Sequence, residues 1–181
     1  MKCGCGSGRA ASATLDVLGV EGQRPDPSKP VVPGHEIARV IEAVGPGVSS
    51  WREGDRVGVG FLNGDCGECE PCRRGDFVNC ANREQTGTTV DGGYAEVTYA
   101  RAGGLVRLPD DMDAVDLAPL LGAGLTVCSA LLQGGAGALP GALMAIQGIG
   151  GLDHLGIQYA AKLGYRVAAI ARGSEKVSLA K

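Results

Sequence analysis

Four cysteines lie within 15 residues of one another in the middle of the chain: Cys66, Cys69, Cys72 and Cys80. Two-residue gaps let successive sulfur atoms converge on one ion, and four thiolates at tetrahedral distance form a closed structural zinc site. A bacterial iron–sulfur motif has the same two-residue gaps between its first three cysteines. Its last gap, however, is three residues and its fourth cysteine is followed by proline, whereas here seven residues separate Cys72 from Cys80. The spacing therefore favours structural zinc over an iron–sulfur cluster, another metal or unligated thiols.

The composition supports reduced thiols. No hydrophobic signal segment follows Met1, so we expect a cytoplasmic protein in which the seven cysteines do not form disulfides. The net charge is −3, and without a basic patch we expect neither a nucleic-acid nor a membrane partner. Residues 117–152 carry no charge, but prolines and glycines interrupt them repeatedly, so we interpret them as buried core.

The first part of the chain has the pattern of an all-β unit. Residues 1–30 are rich in Gly, Ser and Pro and are predicted to be irregular, with a proline-rich loop at 24–30. From about 31 to 108, short apolar and β-branched segments alternate with glycine turns, which predicts strands. The predicted strands are 36–44, 56–61 and 94–99.

From residue 111 onward the pattern changes to helix formers and then to one βαβ unit. We therefore place a domain boundary after residue 110 and predict a mixed fold, β in residues 1–110 and α/β in residues 111–181. The predicted elements are helices at 114–121 and 125–132, a strand at 142–147, a helix at 154–163 and a strand at 166–171.

A glycine turn lies between the predicted strand and helix of this unit, at Gly148, Gly150, Gly151 and Leu152. In such a turn the backbone N–H groups and the helix N-terminus bind a pyrophosphate. The third glycine of the usual pattern is replaced by Asp153, whose carboxylate opposes a nearby phosphate, so we expect weakened affinity. The alternative is an ordinary strand–turn–helix without a ligand.

Arg172 stands where an NAD site usually has a carboxylate, at the end of the second strand of the unit. A guanidinium there attracts a 2′-phosphate, so NADP is favoured over NAD. The alternative is a solvated loop residue.

His35 and Glu36 form a third candidate site, with Cys5 and Ser7 far upstream. An imidazole, a thiolate and a carboxylate are compatible ligands of an open catalytic zinc. A single histidine beside a strand is more often structural than ligating, and both interpretations stay open on the residues alone.

Taken together, these motifs resemble the zinc-containing, medium-chain alcohol dehydrogenase family. The matching segments are 3–5, Pro33-Gly34-His35-Glu36, Gly54-Asp55-Arg56-Val57, the four-cysteine loop, 91–96, 108–109, 118–121, 123–127 and the glycine turn. The resemblance implies a GroES-like β-barrel domain followed by an incomplete Rossmann domain for NADP or NAD. It also implies hydride transfer involving a small alcohol or carbonyl substrate, and it is compatible with a homo-oligomer.

The resemblance further implies roles for single residues. Cys5 and His35 resemble the first two ligands of the catalytic zinc, Glu36 the adjacent carboxylate, and Ser7 the hydroxyl that relays the substrate proton. The four-cysteine loop resembles the structural zinc lobe.

Three departures from the family pattern qualify these expectations. Gly122 stands where the third catalytic cysteine is expected, and Gly6 and Gly8 replace positions that contact cofactor phosphate and support the histidine. The chain is also about half as long as family members. We therefore expect a truncated fragment with weak or no activity alone. The alternatives are a non-catalytic, zinc-stabilised interaction module and a zinc-independent enone or quinone reductase of the same superfamily.

Overall fold

The computed structural model describes residues 1–23, 29–135 and 137–173. They form two compact units, one from Met1 to Gly122 and one beginning at Ala123. The first is built on antiparallel strands and the second on a parallel strand–helix–strand unit. This order confirms the mixed β and α/β class predicted from the sequence. The elements are β1 Lys2–Ala11, α1 Thr14–Val20, β2 Glu36–Val44, β3 Arg56–Val59, α2 Glu70–Arg73, β4 Thr98–Arg101, β5 Leu105–Arg107, α3 Ala114–Leu117, α4 Ala123–Gly134, β6 Leu143–Gln147, α5 Asp153–Lys162 and β7 Arg166–Ile170.

The sheet of the first unit has the strand order β4-β1-β2-β3-β5, and every neighbouring pair is antiparallel. Alternate residues of β2 turn to one face, where Ile37 and Ile41 are almost fully buried. Burying such side chains stabilises the fold by about 1.5–3 kcal/mol each. The other buried members of this core are Cys3, Cys5, Val57, Val59, Ala100 and Leu105.

The first thirty residues are more regular than the sequence predicts. β1 pairs with β2 on one side and with β4 on the other, so hydrogen bonds on both edges compensate for the low strand propensity of its glycines. A helical turn, α1, follows it. The prediction that residues 1–30 are irregular is therefore wrong for 2–20. Of the predicted proline-rich loop, residues 24–28 lie outside the described part of the chain.

The third predicted strand begins later than expected, at Thr98 and not at residue 94. The preceding carbonyl groups of Gly93, Ala95 and Glu96 accept hydrogen bonds from the buried guanidinium of Arg39. Because these carbonyls turn toward a side chain, they are lost to strand pairing, and residues 93–97 form a bend.

The compact unit extends beyond the boundary predicted after residue 110. Leu117 and Ala118 pack against Ala38 of β2, so the helical segment belongs to the first unit. Within the predicted helix 114–121, α3 ends at Leu117 and a 3₁₀ turn follows, since Pro119 lacks the N–H group that would continue the helix.

No single helix among the described residues has the length and apolarity needed to cross a membrane. Ala114–Leu121 and Ala123–Gly134 reach that length only as a pair separated by a bend.

The second unit agrees closely with the sequence prediction. β6 and β7 pair in parallel, with Leu143 opposite Arg166 and Gln147 opposite Ile170, and α5 connects them. The boundaries of β6, α5 and β7 lie within one residue of the predicted ones, and α4 extends two residues beyond the predicted helix at each end. The agreement is expected, because short apolar strands joined by a glycine turn and a helix are specified by local sequence.

Candidate metal centre and glycine turn

The four sulfur atoms of the cysteine cluster, Cys66, Cys69, Cys72 and Cys80, lie within 4.8 Å of one another. The Sγ–Sγ distances are 3.3 Å from Cys69 to Cys72, 3.6 Å from Cys80 to Cys66 and 3.9 Å from Cys66 to Cys72. A tetrahedral zinc with bonds of about 2.3 Å separates its sulfur ligands by about 3.8 Å. All four cysteines are free of disulfides, so the donor set fits a Cys₄ zinc.

Backbone N–H groups support charged sulfur at two of these positions. Hydrogen bonds from the N–H groups of Glu68 and Cys69 lower the pKa of Cys66 to about 6. The N–H groups of Ala81 and Cys72 likewise lower the pKa of Cys69. Burial, together with neighbouring thiols, raises the pKa of Cys72 to about 12. The loop thus stabilises thiolates at one side of the cluster, as a site for a soft cation requires.

A polar network connects the cysteine loop to β4. Arg101 of β4 donates to Glu84 Oε1 at 2.7 Å, and its backbone N–H donates to Asn63 Oδ1 at 2.9 Å. The Asn63 amide donates in turn to Glu84 Oε2 at 3.1 Å, and Asn63 is almost fully buried. The network closes on itself and holds both ends of the loop to the sheet.

The buried imidazole of His35 is oriented by Asp16 of α1, a residue that sequence analysis missed. Asp16 Oδ1 lies 3.3 Å from His35 Nδ1 and accepts the Gly34 N–H at 2.8 Å, while Oδ2 accepts the Ala13 N–H at 3.0 Å and the Tyr94 hydroxyl at 3.2 Å. Burial opposes ionisation of Asp16, but the two backbone donors and the nearby imidazole outweigh it and lower its pKa. Gly8 has no side chain to orient the imidazole, and Asp16 supplies that contact to His35 instead.

The structure does not bring Cys5 together with His35 and Glu36. Cys5 pairs with Ile41, whereas Glu36 pairs with Ala11, and five residues of strand span about 16 Å. The Cys5 side chain lies in the hydrophobic core, where burial raises its pKa to about 11. In the described part of the chain, the four-cysteine cluster is the one group of three or more metal-ligating side chains. The expected catalytic ligand set therefore does not fit a shared zinc.

Ser7 and Gly122 also depart from their expected roles. Ser7 is exposed near the pair Gly8 and Arg39, several residues along the strands from the end that holds His35, so its hydroxyl is not next to the imidazole. A Cβ atom at Gly122 would lie 2.4 Å from Glu36 Oε1. The Glu36 carboxylate thus fills the space that a side chain at position 122 would need.

The glycine turn of the second unit joins β6 to α5 as predicted. Gly148 adopts φ 109°, and its N–H donates to the Ile170 carbonyl at the end of β7 at 2.8 Å. Gly151 has open space at its Cα, and Leu152 precedes the first helical residue. Arg172 is exposed two residues after β7, and its segment is held beside the turn by the Gly148 bond. The turn has the strand–glycine turn–helix order that is typical of dinucleotide sites, with Asp153 at the first position of the helix.

Comparison with known proteins gives consistent results. Residues 8–110 match the model of the alcohol dehydrogenase GroES-like domain. An alcohol dehydrogenase of Geobacillus stearothermophilus is 45% identical over 155 residues, which are 86% of this chain and 45% of that protein.

Two solved structures are also similar. The CAD protein of Helicobacter pylori, solved with NADP(H), has a TM-score of 0.87 at 26% identity over 98% of this chain and 53% of its own. The cobalt- and zinc-bound alcohol dehydrogenase of Pyrobaculum aerophilum has a TM-score of 0.86 at 30% identity over 98% of this chain and 53% of its own. The chain spans about half the length of these relatives.

Proposed function

The chain belongs to the alcohol dehydrogenase family whose GroES-like domain matches residues 8–110, and from this membership we propose that it acts as an alcohol dehydrogenase-type oxidoreductase. The substrates in this proposal are small alcohols and the corresponding aldehydes or ketones. Residues 1–122, which include the GroES-like match at 8–110, supply the zinc-binding domain, and the residues from 123 onward supply part of a Rossmann domain. The observation that carries the proposal is the β6–glycine turn–α5–β7 unit, which has the geometry used for dinucleotides.

A nicotinamide dinucleotide supplies hydride transfer when it is bound. The role of the chain is to bind its phosphates at the turn formed by Gly148, Gly150, Gly151 and Leu152, at the N-terminus of α5. The Gly148 N–H is used by the Ile170 carbonyl, so the N–H groups of the later turn residues serve the phosphates. Arg172 carries a positive charge beside this turn and favours NADP over NAD by attracting the 2′-phosphate. The similar protein of Helicobacter pylori, solved with NADP(H), supports a nicotinamide cofactor.

His35 is the best candidate for moving the substrate proton. With Asp16 ionised, His35 Nδ1 carries a proton and faces the carboxylate, which leaves the Nε2 lone pair available as an acceptor. The ring is further held by Phe61, whose ring centroid lies 5.5 Å away in an edge-on arrangement. Ser7 is not next to this imidazole, so we do not assign it the proton relay.

The four-cysteine cluster would hold a structural zinc. Its role is to fold and fix residues 66–80, because metal bound by four protein ligands has no open position for a substrate. The cobalt- and zinc-bound relative of Pyrobaculum aerophilum supports metal binding in this family.

A second candidate function is a zinc-independent reductase of the same superfamily that acts on enones or quinones. It is favoured by the separation of Cys5 from Glu36 along β2 and by the carboxylate that fills the space at Gly122. In this case hydride transfer needs only the dinucleotide and a proton donor, and no metal ion.

The two candidates are separated by assays of the full chain with NADPH and NADH. Nicotinamide fluorescence should show saturable binding, tighter for NADPH, and Arg172→Ala should remove that preference. Oxidation of the bound nicotinamide is then followed with aldehydes, ketones, enones and quinones, before and after strong chelation. Aldehyde reduction supports the alcohol dehydrogenase, whereas enone or quinone reduction that survives chelation supports the second candidate. Absence of saturable binding contradicts both.

A further inference from the structure

The carboxylate of Asp153 lies against the backbone of the glycine turn, next to Gly148 and Gly150. Asp153 is the first residue of α5, and its Oδ2 accepts the Gly150 N–H at 3.0 Å. A Cβ atom on Gly148 would lie 2.5 Å from this same oxygen, and one on Gly150 would lie 3.4 Å from it. The side chain therefore folds back from the helix onto the backbone of the turn, instead of extending into solvent.

This oxygen uses the donor that a bound pyrophosphate needs. A phosphate at such a turn accepts hydrogen bonds from the turn N–H groups and is stabilised by the positive end of the helix. One N–H group cannot serve a carboxylate and a phosphate at full strength, and two anions a few ångströms apart also repel each other. The sequence predicts only that the Asp153 carboxylate repels a nearby phosphate. In the structure the carboxylate also accepts the Gly150 N–H that the phosphate would use.

We propose that Asp153 is an internal anion that occupies the phosphate position of the turn, so that a dinucleotide must displace its carboxylate to bind. This inference rests on the proposed dinucleotide function. Displacement transfers the Gly150 N–H from Asp153 to the phosphate, and the turn loses the carboxylate contact that ties Gly150 to the start of α5. Affinity for the dinucleotide and stability of the second unit therefore oppose each other at this residue.

The test compares wild type with three variants of the full chain. Asp153→Gly removes the carboxylate, Asp153→Asn keeps an acceptor without the charge, and His154→Ala is the local control. His154 Nδ1 lies 3.0 Å from the Gly150 carbonyl, so the control disturbs the same turn without removing the anion. The measurements are the dissociation constants of NADPH and of inorganic pyrophosphate, and the melting temperature without ligand.

The expected result is opposite movement of the two readouts. Asp153→Gly should bind NADPH and pyrophosphate about tenfold more tightly and melt about 2 °C or more lower. Asp153→Asn should fall between it and wild type in affinity, because it lacks only the repulsion. His154→Ala should stay within about twofold of wild type in affinity.

Two outcomes overturn the inference and differ in what they say of the proposed function. If wild type and the folded Asp153 variants bind NADPH equally and saturably, Asp153 does not occupy the phosphate site, while the dinucleotide function stands. If none of the folded proteins binds NADPH, NADH or pyrophosphate, there is no phosphate site for Asp153 to occupy, and the proposed function fails as well.

Discussion

Asp16 links three segments of the first unit through one buried carboxylate. Its oxygens satisfy the N–H groups of Ala13 and Gly34 and the hydroxyl of Tyr94, and they also face His35. A buried donor left without its partner costs about 1–3 kcal/mol. The consequence of losing this one side chain therefore reaches the helix α1, the approach to β2 and the bend after residue 92.

Replacing Asp16 by Ala is expected to lower the free energy of unfolding by about 2–4 kcal/mol. The buried Gly34 N–H and His35 imidazole and the half-buried Ala13 N–H lose their acceptor together, whereas the Tyr94 hydroxyl keeps the Ala11 carbonyl. Asp91→Ala is the matched control. Asp91 also accepts a backbone N–H from the segment before His35, that of Val32 at 2.9 Å, but the contact is exposed and single. Its loss should cost about 1 kcal/mol or less. Urea unfolding of both variants measures the difference, and equal costs would contradict the role given to Asp16.

Sequence reasoning missed Asp16 because its signal is weak. An acidic residue three positions after the N-cap residue is typical of a capping arrangement, and here Asp16 indeed accepts the N–H of the N-cap residue Ala13. Nothing local indicates that the same carboxylate meets His35, nineteen residues further along the chain. The contact between Asp16 and His35 depends on the antiparallel pairing of β1 with β2, which brings α1 beside the start of β2. Conversely, the convergence of the four cysteines follows from local sequence, because two-residue gaps separate the first three and Cys80 follows within the same loop, and their sulfur atoms lie within 4.8 Å of one another.

At the scale of elements, the bulge in β1 depends on Gly8. The register of β1 against β2 shifts between Cys5 and Gly8, and a Cβ atom at Gly8 would lie 2.2 Å from the Ala38 carbonyl and 2.7 Å from the Arg39 Cα. Both contacts are with backbone of the partner strand, so neither atom can move aside alone. Gly8 also has φ 154°, at the edge of the region that L residues rarely adopt.

We expect Gly8→Ala to destabilise the first unit by about 2 kcal/mol or more, since the strands must separate to admit the methyl group. Gly4→Ala is the control on the same strand. A Cβ atom there would meet Tyr99 at 3.7 Å and Ala43 at 3.9 Å, which are ordinary contacts. Its effect should stay within about 1 kcal/mol. Comparable losses in denaturant unfolding would show that the bulge tolerates a side chain.

The elements differ in how far local sequence specifies them. β6, α5 and β7 were predicted to within a residue, because an apolar strand, a glycine turn and a helix follow one another without long-range help. β1 was not predicted, since its glycines and serine have low strand propensity and only its two partner strands hold it extended. β4 begins later than predicted because the preceding carbonyl groups accept hydrogen bonds from the Arg39 side chain instead of pairing with a strand. In both cases contacts between residues distant in the sequence decided the outcome.

The attachment of the cysteine loop to β4 should depend on pH through Glu84. The hydrogen bond from Arg101 lowers the pKa of Glu84 below its ordinary 4.5. Because the folded pKa is lower than the unfolded one, the stabilisation is fully present above about pH 4.5 and is lost as the pH falls through the folded pKa. Glu84→Gln is therefore expected to cost about 1–2 kcal/mol at pH 7, with a smaller difference from wild type at acid pH.

Glu70→Gln serves as the control for this prediction. Its ion pair with Arg74 lies in the same loop, but the side chains are 81% and 62% exposed. Such a pair contributes little, so this variant should differ from wild type by less than about 0.5 kcal/mol at either pH. A Glu84→Gln cost that did not change between pH 7 and acid would argue against the ionised Glu84–Arg101 contact.

At the scale of the whole molecule, the described residues bring metal-ligating side chains together at one place, so the full chain is expected to hold one firmly bound zinc. Metal that binds a preformed set of thiolates stabilises the folded state, and Cys66→Ser should abolish binding and lower the melting temperature by about 10 °C. Cys128→Ser is the control, because Cys128 lies on α4 outside the cluster and should retain the metal. Metal analysis of dialysed protein measures the bound zinc, and thermal unfolding measures the melting temperature.

Two firmly bound zinc ions per chain would show that a second ligand set exists despite the separation of Cys5 from Glu36. Zinc retained by Cys66→Ser would contradict the assignment of the cluster, because a closed four-thiolate site cannot lose one ligand without losing affinity.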